Sequence, residues 1–347
     1  MLSQEQIKEI KEHLEKAQNP IFFFDNDNDG LCSFLLLRRF IDRGKGVAIK
    51  SFPDLNSSYY RKVNELTPDY IFILDKPLVS QEFIEKAKKN NLPIVWIDHH
   101  QTKGCDDKYV NYYNPFFNNE SYEPVSYICY KITEKKDDIW LAIIGCISDS
   151  LIPDFYPEFE KKYPELAKKN PKSAFDILYN SEIGKIARIL DFSLKDTTTN
   201  VINMVKFMTK VKAPSEILEE NSKTKQILRR YKEINSKYQK LIEKAKKNIK
   251  ENIIYFQYGG NLSLSANIAN QLIYEFPDKI VVVAYLKGDA ANISIRGRGD
   301  VRELTLKAIE GIEGATGGGH KNATGAKINI SDLPKFKEKI ENLAKKN

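Results

Sequence analysis

The first hundred residues alternate short apolar runs with segments of helical periodicity, and this alternation restricts the fold more than any other feature. The predicted strands occupy 21–24, 47–52, 70–74 and 94–97, and the predicted helices between them occupy 31–43, 59–66 and 81–90. Strands that alternate with helices usually form parallel sheets with crossover connections. The runs are apolar at successive positions, as expected when helices cover both faces of the sheet. The sequence therefore predicts an N-terminal α/β domain with a parallel sheet.

Aspartates follow these apolar runs at the points where the predicted strands end. Asp25, Asp75 and Asp98 each come directly after a run. The carboxyl ends of parallel strands meet at one edge of the sheet, where ligands collect. We therefore expect these three carboxylates to lie close together, and Asp75 is a candidate to bridge two metal ions.

The first of these aspartates opens a motif of three carboxylates at alternate positions. Asp25, Asp27 and Asp29 precede Gly30, which lets the chain turn into the following helix. Short carboxylates at a strand end can ligate a divalent cation. A calcium loop would need a glutamate at its twelfth position, which Leu36 occupies here. Capping of the helix by Asp29 is an alternative that is compatible with ligation.

Two of the four histidines, His99 and His100, stand side by side after Asp98. Adjacent residues of an extended chain point in opposite directions, so we expect one histidine to ligate metal and the other to contact a phosphate or leaving oxygen. An imidazole among carboxylates favours Mn²⁺ over Mg²⁺, with Zn²⁺ or Co²⁺ as alternatives. Asp149 ends a further apolar run, in which Gly145 allows a close helix approach. Together these residues predict a dinuclear hydrolytic site.

The chain becomes mostly helical after Asp149, and a second α/β unit follows. Helical spacing covers 158–168, 174–190 and 201–210, and a long helical pattern begins at 214. In the second unit the predicted strands are 253–257, 280–286, 292–296 and 326–330, and the predicted helices are 266–274, 302–311 and 333–346. We therefore predict a catalytic domain with a helical extension (1–213), a connector helix (214–251) and a smaller substrate-binding domain (252–347).

The connector is strongly basic. Eleven lysines or arginines lie between Lys223 and Lys250, opposed only by Glu233 and Glu243. This pattern fits a nucleic-acid contact and a solvated helix face equally well.

A glycine-rich segment in the second unit is a candidate anion site. Consecutive glycines let backbone amides converge on an anion. The residues of this segment are Gly317, Gly318, Gly319, His320 and Lys321. Arg296 and Arg298, at the end of a predicted strand and just beyond it, are suited to hold a second phosphate in a bidentate manner.

Composition argues against a membrane or secreted protein. The apolar runs are far too short to cross a bilayer, and the N-terminus is a polar amphipathic pattern rather than a signal peptide. The four cysteines form no CxxC pair. We therefore expect a reduced, cytoplasmic protein without a membrane partner.

Taken together, the motifs resemble those of the DHH/DHHA1 phosphoesterase superfamily, which takes its name from the sequence matched here by Asp98-His99-His100. The resemblance covers nearly the whole chain. The first motif is closer to the RecJ-like nucleases than to the NrnA-type nanoRNases, which usually begin it with histidine. The segments 293–296 and 317–325 are similar to the NrnA-type version.

The resemblance implies two Mn²⁺ ions, with Mg²⁺ or Co²⁺ as alternatives. The implied ligands are Asp25, Asp27, Asp29, Asp75, His99 and Asp149. It also implies that His100 lies at the scissile phosphate and that Arg296 and the segment Gly317–His320 hold the nucleotide. We expect His100, Asp75 and Asp98 to be the catalytic residues. No counterpart of the added OB-fold of bacterial RecJ is expected, and the basic connector is a candidate to replace it.

These inferences lead to three functional hypotheses. The first is a two-metal exonuclease that releases mononucleotides from single-stranded DNA or RNA. The second keeps the site but changes the substrate, to short oligonucleotides, a cyclic dinucleotide or pyrophosphate. The third is a RecJ-like subunit that binds nucleic acid or replication and repair proteins without turnover.

Overall fold

The computed structural model describes residues 1–51 and 53–345, which form two compact units. The units comprise Met1–Tyr231 and Lys232–Asn347, so the division falls inside a helix. Phe52 and Lys346, predicted to end a strand and a helix, lie outside the described residues.

The first unit is built on a parallel sheet, as predicted. Its strands are β1 (Ile21–Asp25), β2 (Lys45–Ile49), β3 (Asp54–Leu55), β4 (Ile71–Leu74), β5 (Leu78–Val79), β6 (Ile94–Ile97) and β7 (Val110–Tyr113). Five of them form one sheet in the order β2-β1-β4-β6-β7, and β3 pairs with β5 separately. Every pairing in both sheets is parallel. The edge strand β7 has no counterpart among the predicted strands.

Eleven helices among the described residues 1–208 accompany these strands in the first unit. They are α1 (Gln4–Lys16), α2 (Asn28–Ile41), α3 (Tyr60–Leu66), α4 (Gln81–Lys89), α5 (Phe116–Asn119), α6 (Val125–Thr133), α7 (Ile139–Ser148), α8 (Tyr156–Lys162), α9 (Ala174–Asn180), α10 (Glu182–Leu194) and α11 (Thr198–Met208). Short 3₁₀ turns occupy Ser57–Tyr59, Lys136–Asp138 and Pro214–Ile217.

The sheet is buried on both faces because successive strand residues point in opposite directions. Phe22 and Phe24 of β1 join a core that contains residues of α2, α6 and α7. Ile21 and Phe23 join a separate core formed with α3 and α4. This arrangement confirms helices on both faces and explains why the strands are apolar at every position.

Two predicted helices are divided in the structure. The pattern over 174–190 is broken at Ser181, whose hydroxyl accepts a hydrogen bond from Gly184 N (3.1 Å) and caps α10. The helix predicted over 214–251 is also divided, into the 3₁₀ turn Pro214–Ile217 and helix α12 (Lys225–Lys246). Between the turn and α12, Asn221 Oδ1 accepts hydrogen bonds from Lys223 N (2.9 Å) and Thr224 N (3.2 Å). The side chain of Asn221 thus binds amides that would bond to backbone carbonyls in a continuous helix.

The second unit contains a mixed five-stranded sheet. Its strands are β8 (Ile253–Gly259), β9 (Ile280–Lys287), β10 (Ala290–Arg296), β11 (Thr316–His320) and β12 (Ala323–Asn329), and its further helices are α13 (Ser265–Glu275), α14 (Val301–Ile309) and α15 (Leu333–Ala344). A 3₁₀ turn at Ile330–Asp332 precedes α15. The strand order is β11-β12-β10-β9-β8, with β8 and β9 parallel and the other pairs antiparallel.

The glycine-rich segment is a strand rather than the loop that the sequence predicted. Gly317, Gly318 and Gly319 belong to β11, which pairs antiparallel with β12. A strand directs its amides alternately to its two sides, so they do not converge on one point as in a nest. Gly319 has φ +133°, and a Cβ there would lie 2.6 Å from the Ala323 carbonyl oxygen, so this position requires glycine.

No helix in the described part of the chain combines the length and the apolar character that a bilayer-spanning helix needs.

Candidate metal centre

The predicted carboxylates lie at the carboxyl edge of the parallel sheet. Asp25 is the last residue of β1, Asp75 directly follows β4, and Asp98 directly follows β6. These three strands are neighbours in the sheet. The parallel topology therefore brings together residues that are distant in sequence.

The turn from β1 into α2 depends on Asp27 and Gly30. Asp27 caps the helix, since its Oδ1 accepts a hydrogen bond from Gly30 N (2.9 Å). The cap is thus Asp27 rather than Asp29, the alternative suggested by the sequence. A Cβ on Gly30 would lie 2.5 Å from the Asp25 carbonyl oxygen, so only glycine allows this close approach.

The side chains form three overlapping groups of possible metal ligands. In each group the ligand atoms lie within 4.8 Å of one another. The groups are Asp25, Asp27 and Asp75; Asp29, His99 and Asp149; and Asp75, His99 and His100. Asp75 and His99 each belong to two groups, so the ligand sets are contiguous. Oxygen-rich sets with an imidazole suit divalent cations such as Mn²⁺, and the shared residues suit two ions close together.

Asp29 is held by the start of α6. Its Oδ2 accepts from Val125 N (2.7 Å), and its Oδ1 accepts from Ser126 N (2.9 Å) and from the Ser126 hydroxyl. Helix α7 comes close at this point because Gly145 has no side chain; a Cβ there would lie 2.2 Å from Ser126 Oγ. The close approach predicted from Gly145 is therefore present, and it brings Asp149, just after α7, to the site.

The protonation of these groups reflects burial and crowding of negative charge. Burial, followed by the charges of neighbouring aspartates, raises the pKa of Asp27 and Asp75 well above the usual value. The same causes raise the pKa of Asp29 to about 6. Asp75 is 2% exposed, and its Oδ1 accepts no hydrogen bond among the described residues. Such a cluster is unfavourable without added positive charge, which a metal ion would supply.

The two histidines differ in character. Burial, followed by the charge of His100, lowers the pKa of His99 to about 4, so its ring is neutral and able to ligate metal. Its Nε2 lies 3.2 Å from Asp75 Oδ1 and 3.4 Å from Asp149 Oδ2. Burial alone would lower the pKa of His100, but the hydrogen bond to Asp98 and the charges of Asp98, Asp149 and Asp25 together outweigh burial and raise it.

Asp98 orients His100 rather than facing the metal groups. Its Oδ1 lies 2.7 Å from His100 Nδ1, and its Oδ2 accepts from the Tyr112 hydroxyl (3.3 Å) and Asn114 Nδ2 (3.4 Å). The carboxylate is fully buried. These contacts hold the imidazole in one orientation.

Two residues at the site were not identified from the sequence. Lys76 is fully buried, and its Nζ donates to Asp25 Oδ1 (2.8 Å) and to the Ser51 carbonyl (2.9 Å). The Tyr122 hydroxyl donates to Asp149 Oδ2 (3.2 Å). The position of Lys76 directly after Asp75 could have indicated that it lies at the site. No sequence motif indicated Tyr122.

In the second unit, the predicted substrate-binding arginines make different contacts. Arg296 Nε donates to Asn270 Oδ1 (2.7 Å), and its Nη1 donates to two backbone carbonyls. Arg298, which is exposed, forms an ion pair with Asp278 (2.7 Å). His320 ends β11, and Lys321 follows it in the turn to β12. The role of Arg296, Arg298, His320 and Lys321 in substrate binding stays a prediction.

The fold and the site define an α/β protein with a candidate dinuclear metal centre at the carboxyl edge of its parallel sheet. The sequence model of the DHH family N-terminal domain matches residues 21–147, and that of the DHHA1 domain matches residues 235–346. Together they cover more than half of the chain, which belongs to the DHH/DHHA1 superfamily. No curated protein sequence matches the chain.

Solved structures share this fold at low sequence identity. RecJ from Thermus thermophilus in complex with Mn²⁺ has a TM-score of 0.69 at 13% identity, over 100% of this chain and 55% of that one. An exonuclease RecJ bound to manganese has a TM-score of 0.65 at 14% identity, over 100% and 96%. The DHH domain of a member of a family of ribosomal proteins has a TM-score of 0.70 at 15% identity, over 98% and 90%. The chain thus spans only about half of the Thermus RecJ chain.

Proposed function

We propose that this chain is a metal-dependent phosphodiesterase that releases mononucleotides from single-stranded DNA or RNA. The observation that carries the proposal is the set of overlapping ligand groups that share Asp75 and His99. Membership of the DHH/DHHA1 superfamily supports a phosphoesterase. Structures of RecJ with Mn²⁺ and with Mg²⁺ share the fold.

The residues that would hold the cations are those of the clustered carboxylates and the neutral imidazole. They are Asp25, Asp27, Asp29, Asp75, His99 and Asp149. When bound, the cations would supply positive charge and Lewis acidity to a phosphodiester. The mixed oxygen and nitrogen donors favour Mn²⁺, with Mg²⁺ or Co²⁺ as alternatives.

His100 is the proposed proton donor to the departing oxygen. The Asp98 carboxylate raises the pKa of His100 and fixes the ring, so the orientation of the imidazole is set before substrate binds. Asp98 is therefore a positioning residue. Asp75, which lies 3.9 Å from His100 Nδ1, belongs to both the metal groups and the surroundings of this ring.

The test uses end-labelled DNA and RNA strands of graded length, incubated with Mn²⁺ or Mg²⁺, with products resolved over time. We expect mononucleotides to accumulate with Mn²⁺, and we expect EDTA, Asp75→Ala or His99→Ala to abolish their release. Undiminished cleavage in EDTA or in either variant would refute the mechanism.

A second candidate activity is favoured by the C-terminal motifs. The segments 293–296 and 317–325 resemble those of NrnA-type nanoRNases. Cleavage confined to the shortest strands, or to a cyclic dinucleotide, would replace the exonuclease proposal by this one. Binding of nucleic acid or of replication or repair proteins without turnover would instead support a subunit role, against which the complete ligand set argues.

A further inference from the structure

Four lysines form an exposed line along α12 in the second unit. Lys237, Lys240, Lys244 and Lys247 are all exposed, and we call them the lysine ridge. Their spacing of three, four and three residues places them on one helix face. Lys247 lies in the turn directly after the last helical residue.

The opposite face of the helix is buried. Ile234, Tyr238, Ile242 and Ala245 are at most 1% exposed. The Tyr238 hydroxyl also hydrogen-bonds to Gln271 Oε1 (2.6 Å) on α13. The helix therefore cannot rotate about its axis, and the ridge keeps one orientation on the surface of the unit.

The ridge carries an excess of positive charge, since only Glu233 and Glu243 on the same helix oppose its lysines. Among the described residues, none of its four lysines forms an ion pair. The neighbouring Lys246, by contrast, pairs with Glu275 (2.8 Å) and Glu243 (3.7 Å). Like charges three and four residues apart oppose helix formation, so the arrangement favours an anion along the ridge.

We propose that the lysine ridge binds the sugar-phosphate backbone of a single nucleic-acid strand without reading its bases. From Lys237 to Lys247 the helix advances about 15 Å at about 1.5 Å per residue. On each strand of a duplex a phosphate recurs about every 3.4 Å of axis, so a single strand that keeps this helical rise places about four phosphates along this length. The inference rests on the proposed function, whose substrate class it shares, and assigns that substrate a second contact.

An anionic membrane surface fits the ridge less well. A helix that lies in a membrane interface buries apolar side chains between lipid headgroups. Here the apolar side chains of the helix are already buried in the protein core. The ridge also contains no aromatic or arginine side chain with which to recognise bases. The ridge is therefore suited to contact phosphates of the nucleic-acid backbone irrespective of base sequence.

The test compares the full chain with a variant in which Lys237, Lys240, Lys244 and Lys247 are all changed to glutamine, which preserves helix propensity. Binding of a labelled oligothymidylate is followed by fluorescence anisotropy in EDTA, so hydrolysis does not interfere. Each lost phosphate contact removes about 0.7 from the slope of log K against log salt, so the slope should flatten by about 2 to 3. With about 2.8 lost, the effect of raising salt from about 50 to about 200 mM falls by roughly 50-fold.

The matched control removes four exposed lysines that lie on separate segments of the first unit. They are Lys8, Lys161, Lys169 and Lys206, each changed to glutamine. Both variants lose the same net charge, so only a site at the ridge predicts different slopes. Equal slopes for the two variants, or no oligothymidylate binding by the wild-type chain, would overturn the proposal. So would a loss of binding to phosphatidylserine vesicles with oligothymidylate binding unchanged, since that result indicates a membrane surface.

The nuclease proposal and the ridge proposal can be refuted separately. A wild-type chain that binds oligothymidylate through the ridge but cleaves no strand with Mn²⁺ would refute the nuclease and leave the ridge in place. If the nuclease proposal holds, the ridge variant should cleave dinucleotides at the wild-type rate while losing activity on long strands as salt rises.

Discussion

At the residue scale, Asp75 connects two ligand groups of the candidate metal centre. It is nearly fully buried, and it belongs to two of the three ligand groups. Its backbone has φ +58°, in the left-handed region that non-glycine residues seldom adopt. Strain of this kind persists where surrounding structure enforces it, often at functional sites.

Changing Asp75 to asparagine should separate activity from stability. We expect Mn²⁺-dependent cleavage to fall by more than about 100-fold, since a shared ligand is worth at least as much as an outer-shell contact. In EDTA the melting temperature should stay the same or rise, because one buried negative charge is removed from a repulsive cluster. Exposed Asp289→Asn is the control and should change neither quantity. Near-normal cleavage by the Asp75 variant would show that Asp75 is not a ligand.

The pKa of Asp29 predicts how stability of the metal-free protein varies with pH. Its folded-state pKa, about 6, lies above the ordinary 3.8. The stability that comes from proton binding is therefore fully present below about pH 3.8 and lost as pH rises to about 6, by up to roughly 3 kcal/mol. Urea unfolding in EDTA at about pH 5 and about pH 7 should show roughly half of this loss, because the rest occurs below about pH 5.

A bound cation should replace the missing proton on Asp29. We therefore expect Mn²⁺ to stabilise the protein more at the higher pH than at the lower one, because protons and cations compete for the same carboxylates. Equal stabilisation at both values would argue against Asp29 as part of the centre.

At the element scale, the junction of α6 with α7 decides whether the site assembles. The start of α6 supplies the amides that bind Asp29, and the end of α7 positions Asp149. Gly145 allows the two helices to approach. The contact between these helices therefore sets the geometry of one ligand group.

Gly145→Ala should disturb this junction. The added Cβ would lie 2.2 Å from Ser126 Oγ and 3.2 Å from Asp29 Oδ1, so the helices must separate. Overpacking of this kind costs typically about 1 to 3 kcal/mol, and Mn²⁺ affinity should fall with it. Calorimetric titration and urea unfolding measure the two effects. Gly318→Ala, where a Cβ meets no atom within 4 Å, is the control for stability. Unchanged Mn²⁺ affinity in the Gly145 variant would mean that Asp29 and Asp149 ligate independently of this contact.

At the scale of the whole molecule, two units have separate cores, and the candidate metal centre lies wholly in the first. A ligand stabilises the unit whose folded form binds it. Metal binding should therefore raise the stability of the first unit only.

Differential scanning calorimetry should resolve this difference. We expect two transitions, of which Mn²⁺ raises only the one that belongs to the first unit; at a concentration of about 100 Kd the gain is about 2.7 kcal/mol. Asp75→Asn should remove the Mn²⁺ shift and leave the other transition unchanged. An equal shift of both transitions would indicate that the units unfold together.

The sequence by itself determined the strands that end at the candidate centre and the side chains proposed as metal ligands. Apolar runs predicted β1, β4 and β6 to within a residue, because fully buried parallel strands must be apolar at every position. The positions of Asp25, Asp75 and Asp98 followed from the same pattern, because each is the first charged residue after an apolar run. The sequence did not predict that β11 is a strand, because its glycines have weak intrinsic preference and are held by pairing with β12.

Only the tertiary structure decided how these elements meet. The contact of Asp29 with α6, the burial of Lys76 against Asp25 and the hydrogen bond of Tyr122 to Asp149 join residues far apart in the chain. Local periodicity carries no information about such contacts. The break before α12 likewise depends on Asn221 capturing backbone amides, which competes with a helix that the apolar pattern alone would continue. Short-range pattern fixed which side chains point towards the sheet edge, and packing of distant helices fixed which atoms of those side chains can share an ion.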